Sequence, residues 1–215
     1  MLLSKTVKVA PRFQRAVRID TDFGDSKALE GFICPESSKQ SLQQICGNLN
    51  KTGQSAFTWT GPYGCGKSSL AIALGAVLNG NRAKRKKHMK FLGEQLTEEI
   101  WQSLKPGKNG RLIVPLVGYR EMPHRAIVEG LIKHNLTKLS SKSTEKEVLN
   151  ELVSIAEKDK KSGGLVLILD EMGKFLEHAA YENGDIFVSY TSYFLGRLPK
   201  NPKGVFRILV TLNIT

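Results

Sequence analysis

Acidic side chains are scarce in this 215-residue chain: 20 Asp and Glu face 32 Lys and Arg, giving a formal net charge of +12. The resulting pI near 9.7 favours polyanionic contacts, such as nucleotides, nucleic acid or an acidic partner, without locating them. Cysteine is scarce too. Cys34, Cys46 and Cys65 form no CxxC pair, which excludes a disulfide framework and a paired-cysteine zinc site and points to a reducing, cytoplasmic setting. Long apolar runs are missing. The richest stretches, Leu165 to Leu169 and Leu70 to Leu78, fall far short of the roughly 20 residues of a membrane-spanning helix, so no membrane role is expected. Nor does the opening Met1-Leu2-Leu3-Ser4-Lys5 carry the apolar core of a signal peptide. A hydrophobic content of 40% against 24% charged residues excludes wholesale disorder, and the length suits one domain.

The first 34 residues mix basic and apolar positions around the turn-like Asp22-Phe23-Gly24-Asp25 and read as an extension packed on a core spanning residues 35–215. Beyond them the pattern alternates. A helix is predicted over Glu36 to Asn50, a short strand over Ser55 to Thr60, and an Ala/Leu-rich helix ending near Leu78. A helix follows over Met89 to Leu104, then a strand over Arg111 to Gly118 and helices over Pro123 to Leu139 and Thr144 to Lys160. The last of these opens on an imperfect capping box of Ser143 and Lys146. Leu165 to Leu169 is continuously apolar, the mark of a strand covered on both faces of a parallel sheet. Helices from near Lys174 and over Ile186 to Leu198, then a strand over Val205 to Leu212, complete an α/β chain with a mainly parallel sheet.

Gly61-Pro62-Tyr63-Gly64-Cys65-Gly66-Lys67-Ser68 fits G-x-x-x-x-G-K-[ST] at every fixed position and sits between a predicted strand and a predicted helix. Glycines let backbone N–H groups approach phosphate oxygens, and the helix N-terminus adds partial positive charge. Gly61, Gly64, Cys65 and Gly66 form the cradle; Lys67 would reach the β- and γ-phosphates and Ser68 would ligate Mg²⁺. Ser69 adds a hydroxyl at the helix start, and Cys65 reads as an ordinary loop residue. The second site is Asp170-Glu171, two carboxylates closing a buried strand: Asp170 suits Mg²⁺, Glu171 suits activation of water.

The combination of this loop with Leu169-Asp170-Glu171-Met172-Gly173-Lys174-Phe175-Leu176-Glu177 resembles the large AAA+-type ATP-binding proteins of bacterial defence and mobile-element gene clusters. The similarity covers roughly residues 12–213. It implies a P-loop NTPase of the additional-strand class, a three-layer sandwich whose ATPase core drives or gates a partner activity, often on nucleic acid. It further implies a polar sensor at the end of the strand after Asp170, for which Asn213 and Thr211 are the candidates, Asn213 preferred by position. The chain stops at Thr215, before the arginine finger, fifth strand and helical lid of that family. A fragment, a minimal ATPase completed by a homo- or hetero-oligomeric partner, and a nucleotide-binding subunit with poor turnover all fit, and slow hydrolysis by the chain alone is expected. A non-hydrolysing interaction protein is the competing reading. A small-molecule phosphotransferase is disfavoured, because Asp170-Glu171 suits water activation and no second-substrate pocket is evident.

Arg82, Lys84, Arg85, Lys86, Lys87 and Lys90 crowd one stretch and could bind phosphate backbones, or simply be a solvated surface. Arg120, after the second strand, could sense nucleotide or pair with Glu121 or another acid. His88, His124, His134 and His178 share no metal-ligand spacing, and Tyr181 to Tyr193 reads as helix packing.

Overall fold

The computed structural model describes residues 16–182, apart from 26, 53, 55 and 159–162, together with the strand at 206–213. The elements follow the predicted alternation except for two unpredicted short helices, α1 (Ile19–Asp22) and α4 (Arg82–His88): α1 is followed by α2 (Glu36–Thr52), β1 (Ala56–Gly61), α3 (Lys67–Leu78), α4, a 3₁₀ turn (Met89–Phe91) and α5 (Glu94–Leu104). Then come β2 (Leu112–Val117), α6 (Pro123–Lys133), α7 (Glu145–Lys158), β3 (Leu165–Asp170), α8 (Met172–Glu182) and β4 (Phe206–Asn213). The helix expected over Ile186 to Leu198 lies outside the described residues.

All four strands are parallel, in the order β1-β4-β3-β2. Successive residues of a strand point to opposite faces, and β3 shows what that requires of a doubly covered strand: every one of its residues is buried. Val166 and Ile168, with Ile113 of β2, join the apolar cluster of α2, α3 and α5. Leu165, Leu167 and Leu169, with Val114 and Leu116, join that of α6, α7 and α8. The chain before α2 belongs to the first cluster through Ile19, Leu29 and Cys34. Helix α3 buries Leu70 through Gly75, then Val77 and Leu78, as a helix apolar on all sides must.

Three sequence expectations are corrected. The helix expected over Met89 to Leu104 is broken: Gly93, at φ 89°, separates the 3₁₀ turn from α5, and the basic run upstream forms α4. Helix α6 stops short of Leu139 because Asn135 takes the left-handed conformation at φ 55°. The capping box of α7 sits one residue further on. Thr144 Oγ1 accepts from Glu147 N at 3.4 Å while a Glu147 carboxylate oxygen accepts from Thr144 N at 2.6 Å, so the acid missing from Lys146 is supplied by Glu147.

Candidate functional site

Parallel strands bring their C-terminal ends to one edge of the sheet, where ligands of open α/β sheets bind. Here that edge carries the glycine loop after β1 and the acidic pair at the end of β3. Gly64 at φ 79° and Gly66 at φ 87° both take backbone conformations that L side chains rarely adopt, so the loop's glycines are required by its path. Gly66 is the N-cap of α3, and the helix's first turn holds no acid. Its N-terminal field is therefore not neutralised from within the helix.

Lys67 folds back over the loop. Its Nζ donates to the carbonyls of Gly61 and Pro62, each at 2.9 Å, and lies 3.5 Å from Cys65 Sγ. An ammonium group held only by uncharged acceptors such as these can be drawn off by a phosphate at modest cost, because charge-assisted pairing with an anion is the stronger bond. Ser68 sits one residue on, and its Oγ donates to Asp170 Oδ2 at 2.6 Å, joining residues 102 positions apart. The second Asp170 oxygen accepts from Glu171 N at 3.1 Å. Asp170 is buried at the end of β3. Hydroxyl and carboxylate are the hard oxygen donors Mg²⁺ takes, with phosphate oxygens and water filling the remaining positions. Among the described residues no three His, Cys, Asp or Glu side chains gather into a cluster that would instead form an all-protein metal cage.

Glu171 has φ 55°, a left-handed conformation that is uncommon for a residue with a Cβ. Its carbonyl accepts from Lys174 N at 3.0 Å, so it turns the chain from β3 into α8. Side chains from the loop, Asp170 and Glu171 line a cavity of about 590 Å³, within the ~300–1,000 Å³ typical of small-molecule sites. A second cavity, of about 520 Å³, opens on the other side of the loop between α2 and β1, and Lys67 borders both.

Several residues join this site that local sequence patterns do not mark. Ala16, Val17 and Arg18 form one wall. The Arg18 guanidinium is held by Asp20, Nη2 to Oδ2 at 2.9 Å. Gly118 and Tyr119, just beyond β2, form another wall. The Tyr119 hydroxyl donates to Glu129 Oε2 at 2.5 Å and its ring lies 6.3 Å from that of Phe175. Although the residue is partly exposed, desolvation of its hydroxyl, with Glu129 reinforcing it, pushes this phenol well above the usual tyrosine range and keeps it a donor. Arg120 points elsewhere, its Nε 4.0 Å from Glu177 Oε2, while Glu121 takes Arg125 at 3.3 Å.

Ser69 is half-buried at the start of α3 and borders the cavity. Asn213 is register partner of Gly61, and Thr211 of Trp59, so Asn213 stands level with the start of the glycine loop; the side chains of both lie outside the described residues. Arg85 departs from expectation. It is 4% exposed, and its Nη1 donates to the carbonyls of Gly80 at 2.7 Å and Gly107 at 3.0 Å, so it is withdrawn from the basic surface. Among the described residues no helix is long and apolar enough to cross a membrane.

No protein-family model and no curated protein matches the chain. Among solved structures it is similar to the ORC2 protein of Aeropyrum pernix, determined in ADPNP and ADP complexes, at 18% identity and a TM-score of 0.48. The match covers 89% of this chain and 46% of that one, so the chain spans about half the length of that protein.

Proposed function

We propose that the chain is a P-loop ATPase core of the additional-strand, AAA+-like class, binding ATP with Mg²⁺ and hydrolysing it. The observation that carries this reading is the Ser68 Oγ to Asp170 Oδ2 contact of 2.6 Å, which unites the two motifs at one edge of the sheet. The strand order supports it, because β4 lies between the strand that bears the glycine loop and the strand that bears Asp170. Helices covering both sheet faces fit the three-layer sandwich of that class.

Each residue then has a distinct task. The amides of Gly64, Cys65 and Gly66 and the N-terminus of α3 hold the phosphates. Lys67 moves from the Gly61 and Pro62 carbonyls to the β- and γ-phosphates and offsets their charge. Ser68 and Asp170 would hold Mg²⁺, which when bound neutralises phosphate charge. Glu171 takes the proton of the attacking water. Asn213, level with Gly61, contacts the γ-phosphate or that water, with Thr211 two residues further back.

The loose, metaphosphate-like transition state of phosphoryl transfer is also commonly stabilised by an arginine. Among the described residues bordering the cavity the arginine is Arg18, which Asp20 already engages. A second copy or a partner chain supplying that charge fits the AAA+-like reading. So does the role implied by the sequence resemblance, that of driving or gating a partner activity in defence against mobile elements.

The test compares wild type with Lys67→Ala and Glu171→Gln, measuring fluorescent ATP binding and phosphate release with and without Mg²⁺. Lys67→Ala is expected to abolish binding. Glu171→Gln should retain ATP while release falls about 10²-fold or more. Unchanged phosphate release in Glu171→Gln would overturn the hydrolytic assignment and leave a nucleotide-binding interaction protein.

A further inference from the structure

A cluster of basic side chains lies towards the edge of the sheet opposite the nucleotide site. Between Glu36 and Glu94 the sequence holds nine Lys and Arg and no acid. Five of the nine, Arg82, Lys84, Lys86, Lys87 and Lys90, are exposed on α4 and the turn that follows it. Arg85, in their midst, points inward. Its Nη1 ties the carbonyls of Gly80 and Gly107 together, and its guanidinium lies 5.6 Å from the centre of the Trp101 ring. Trp101 is itself anchored, Nε1 donating to Val77 O at 2.7 Å.

This clamp has a consequence for the surface. It fastens α4 to the loop between α5 and β2, so the exposed Lys105 and Lys108 stand beside the exposed charges of α4. That loop contains no acid, and among the described residues none of these seven side chains is in an ion pair. The surface therefore displays concentrated, uncompensated positive charge on a backbone fixed from beneath.

Its location separates it from the glycine loop. The patch lies past the C-terminal end of α3, whose 12 residues at about 1.5 Å each span about 18 Å. Arg111 N donates to Leu78 O, and Leu112 N to Gly164 O, placing it where β2 and β3 begin. Asp170 and Lys67 lie at the other ends of β3 and α3.

The lining chemistry decides what kind of partner fits. A protein interface would present aromatic or aliphatic anchors. The exposed large hydrophobic residues of the described chain are Ile33, Tyr63, Tyr119, Ile132 and Tyr181, none of them here. Base stacking on single strands needs open aromatic faces. Phe91 is half-buried and stacked with His88 at 5.9 Å, and Trp101 is covered by Arg85. What remains is attraction to regularly spaced phosphates. We infer that the surface formed by α4 and residues 105–110 binds the phosphodiester backbone of a nucleic-acid duplex, without reading its sequence, at a site separate from the nucleotide.

The test is fluorescence anisotropy of the full chain with a 20-base-pair DNA duplex, a 20-base-pair RNA duplex, a 20-nucleotide single strand and poly-glutamate, titrated in salt. Binding of one or both duplexes is expected, with log K falling against log salt at a slope reflecting about 4–6 phosphate contacts. The two duplex arms distinguish DNA from RNA as the source of the phosphates. The triple variant R82E/K86E/K108E should lose duplex affinity by about tenfold or more while retaining wild-type melting and MgATP binding. Absence of duplex binding at low salt, duplex affinity unaltered by the triple variant, or tighter binding of the single strand or poly-glutamate would each overturn the inference. Because MgATP binding is read in parallel, failure here is distinguishable from failure of the nucleotide assignment.

Discussion

Gly118 and Glu171 pass so close that a Cβ on Gly118 would lie 2.3 Å from the Glu171 carbonyl oxygen. The Gly118 N–H donates to Asp170 O at 2.7 Å, so the end of β2 is pressed against the turn that carries the proposed water-activating residue. That turn holds Glu171 at φ 55°, a conformation costing about 1–2 kcal/mol for a residue with a side chain. Strain of this kind persists only where neighbours enforce it.

Gly118→Ala is therefore expected to displace Glu171 while leaving the glycine loop in place. Phosphate release should fall about tenfold or more, with MgATP affinity held within about threefold. A melting curve checks that the variant folds. Equal losses in turnover and affinity would show that Gly118 supports the fold of the whole site and does not specifically position Glu171.

Cys65 offers a reading of loop occupancy. It is exposed, whereas Cys34 and Cys46 are buried, and burial pushes both of those thiols up. Cys65 Sγ lies 3.5 Å from Lys67 Nζ, so a nucleotide that draws Lys67 towards its phosphates also covers the thiol. Maleimide should label about one thiol per native chain, none in Cys65→Ser, and MgATP should slow the reaction. Labelling of equal rate with and without saturating MgATP would contradict the placement of the phosphates over this loop.

The capping box of α7 gives a prediction about stability alone. Thr144 and Glu147 exchange hydrogen bonds at the helix start, and Thr144 N and Oγ1 hold the Glu147 carboxyl below the usual range. Thr144→Ala should lower unfolding stability by about 1 kcal/mol in a denaturant titration, whereas Ser143→Ala should change little. The opposite ranking would return the cap to Ser143.

Both motifs were legible because their chemistry is local. The loop is fixed by spacing within eight residues, and β3 by an unbroken apolar run that only a doubly covered strand requires. The same periodicities give the chain order of the four strands and of the helices between them, but not α1 or α4. What stayed hidden depends on distant partners. Nothing in a run of six basic residues marks Arg85 as the one that turns inward, since its acceptors are the carbonyls of Gly80 and Gly107 and its cover is Trp101. Gly118 reads in the sequence as the end of a strand, and its close contact exists only because the turn after β3 lies against it. Ala16, Val17 and Arg18 reach the cavity through the packing of the preceding chain on the first apolar cluster, which no spacing rule encodes. The break in the helix after α4 is hidden for a different reason: Gly93 interrupts an apolar pattern that reads as continuous.

Two histidines set the expected response to acid. Partial desolvation lowers the imidazole pKa of half-buried His124, with Arg125 adding to the effect and Glu121 opposing it, and that of His134 at the exposed end of α6, where Lys133 adds to it. The unfolded chain therefore takes up these protons at higher pH than the folded chain does. By linkage, the stability associated with the neutral rings is present in full above the unfolded pKa of about 6.5 and is lost as pH falls through the folded values. The melting temperature should drop between about pH 7.5 and pH 5.5, a window in which carboxylates such as Glu147 remain ionised. Replacing both histidines with Gln should flatten the profile over that window, leaving any further loss to carboxylate protonation at lower pH. A melting temperature that rises on acidification, or a slope unaltered in the double variant, would show that other groups control the response.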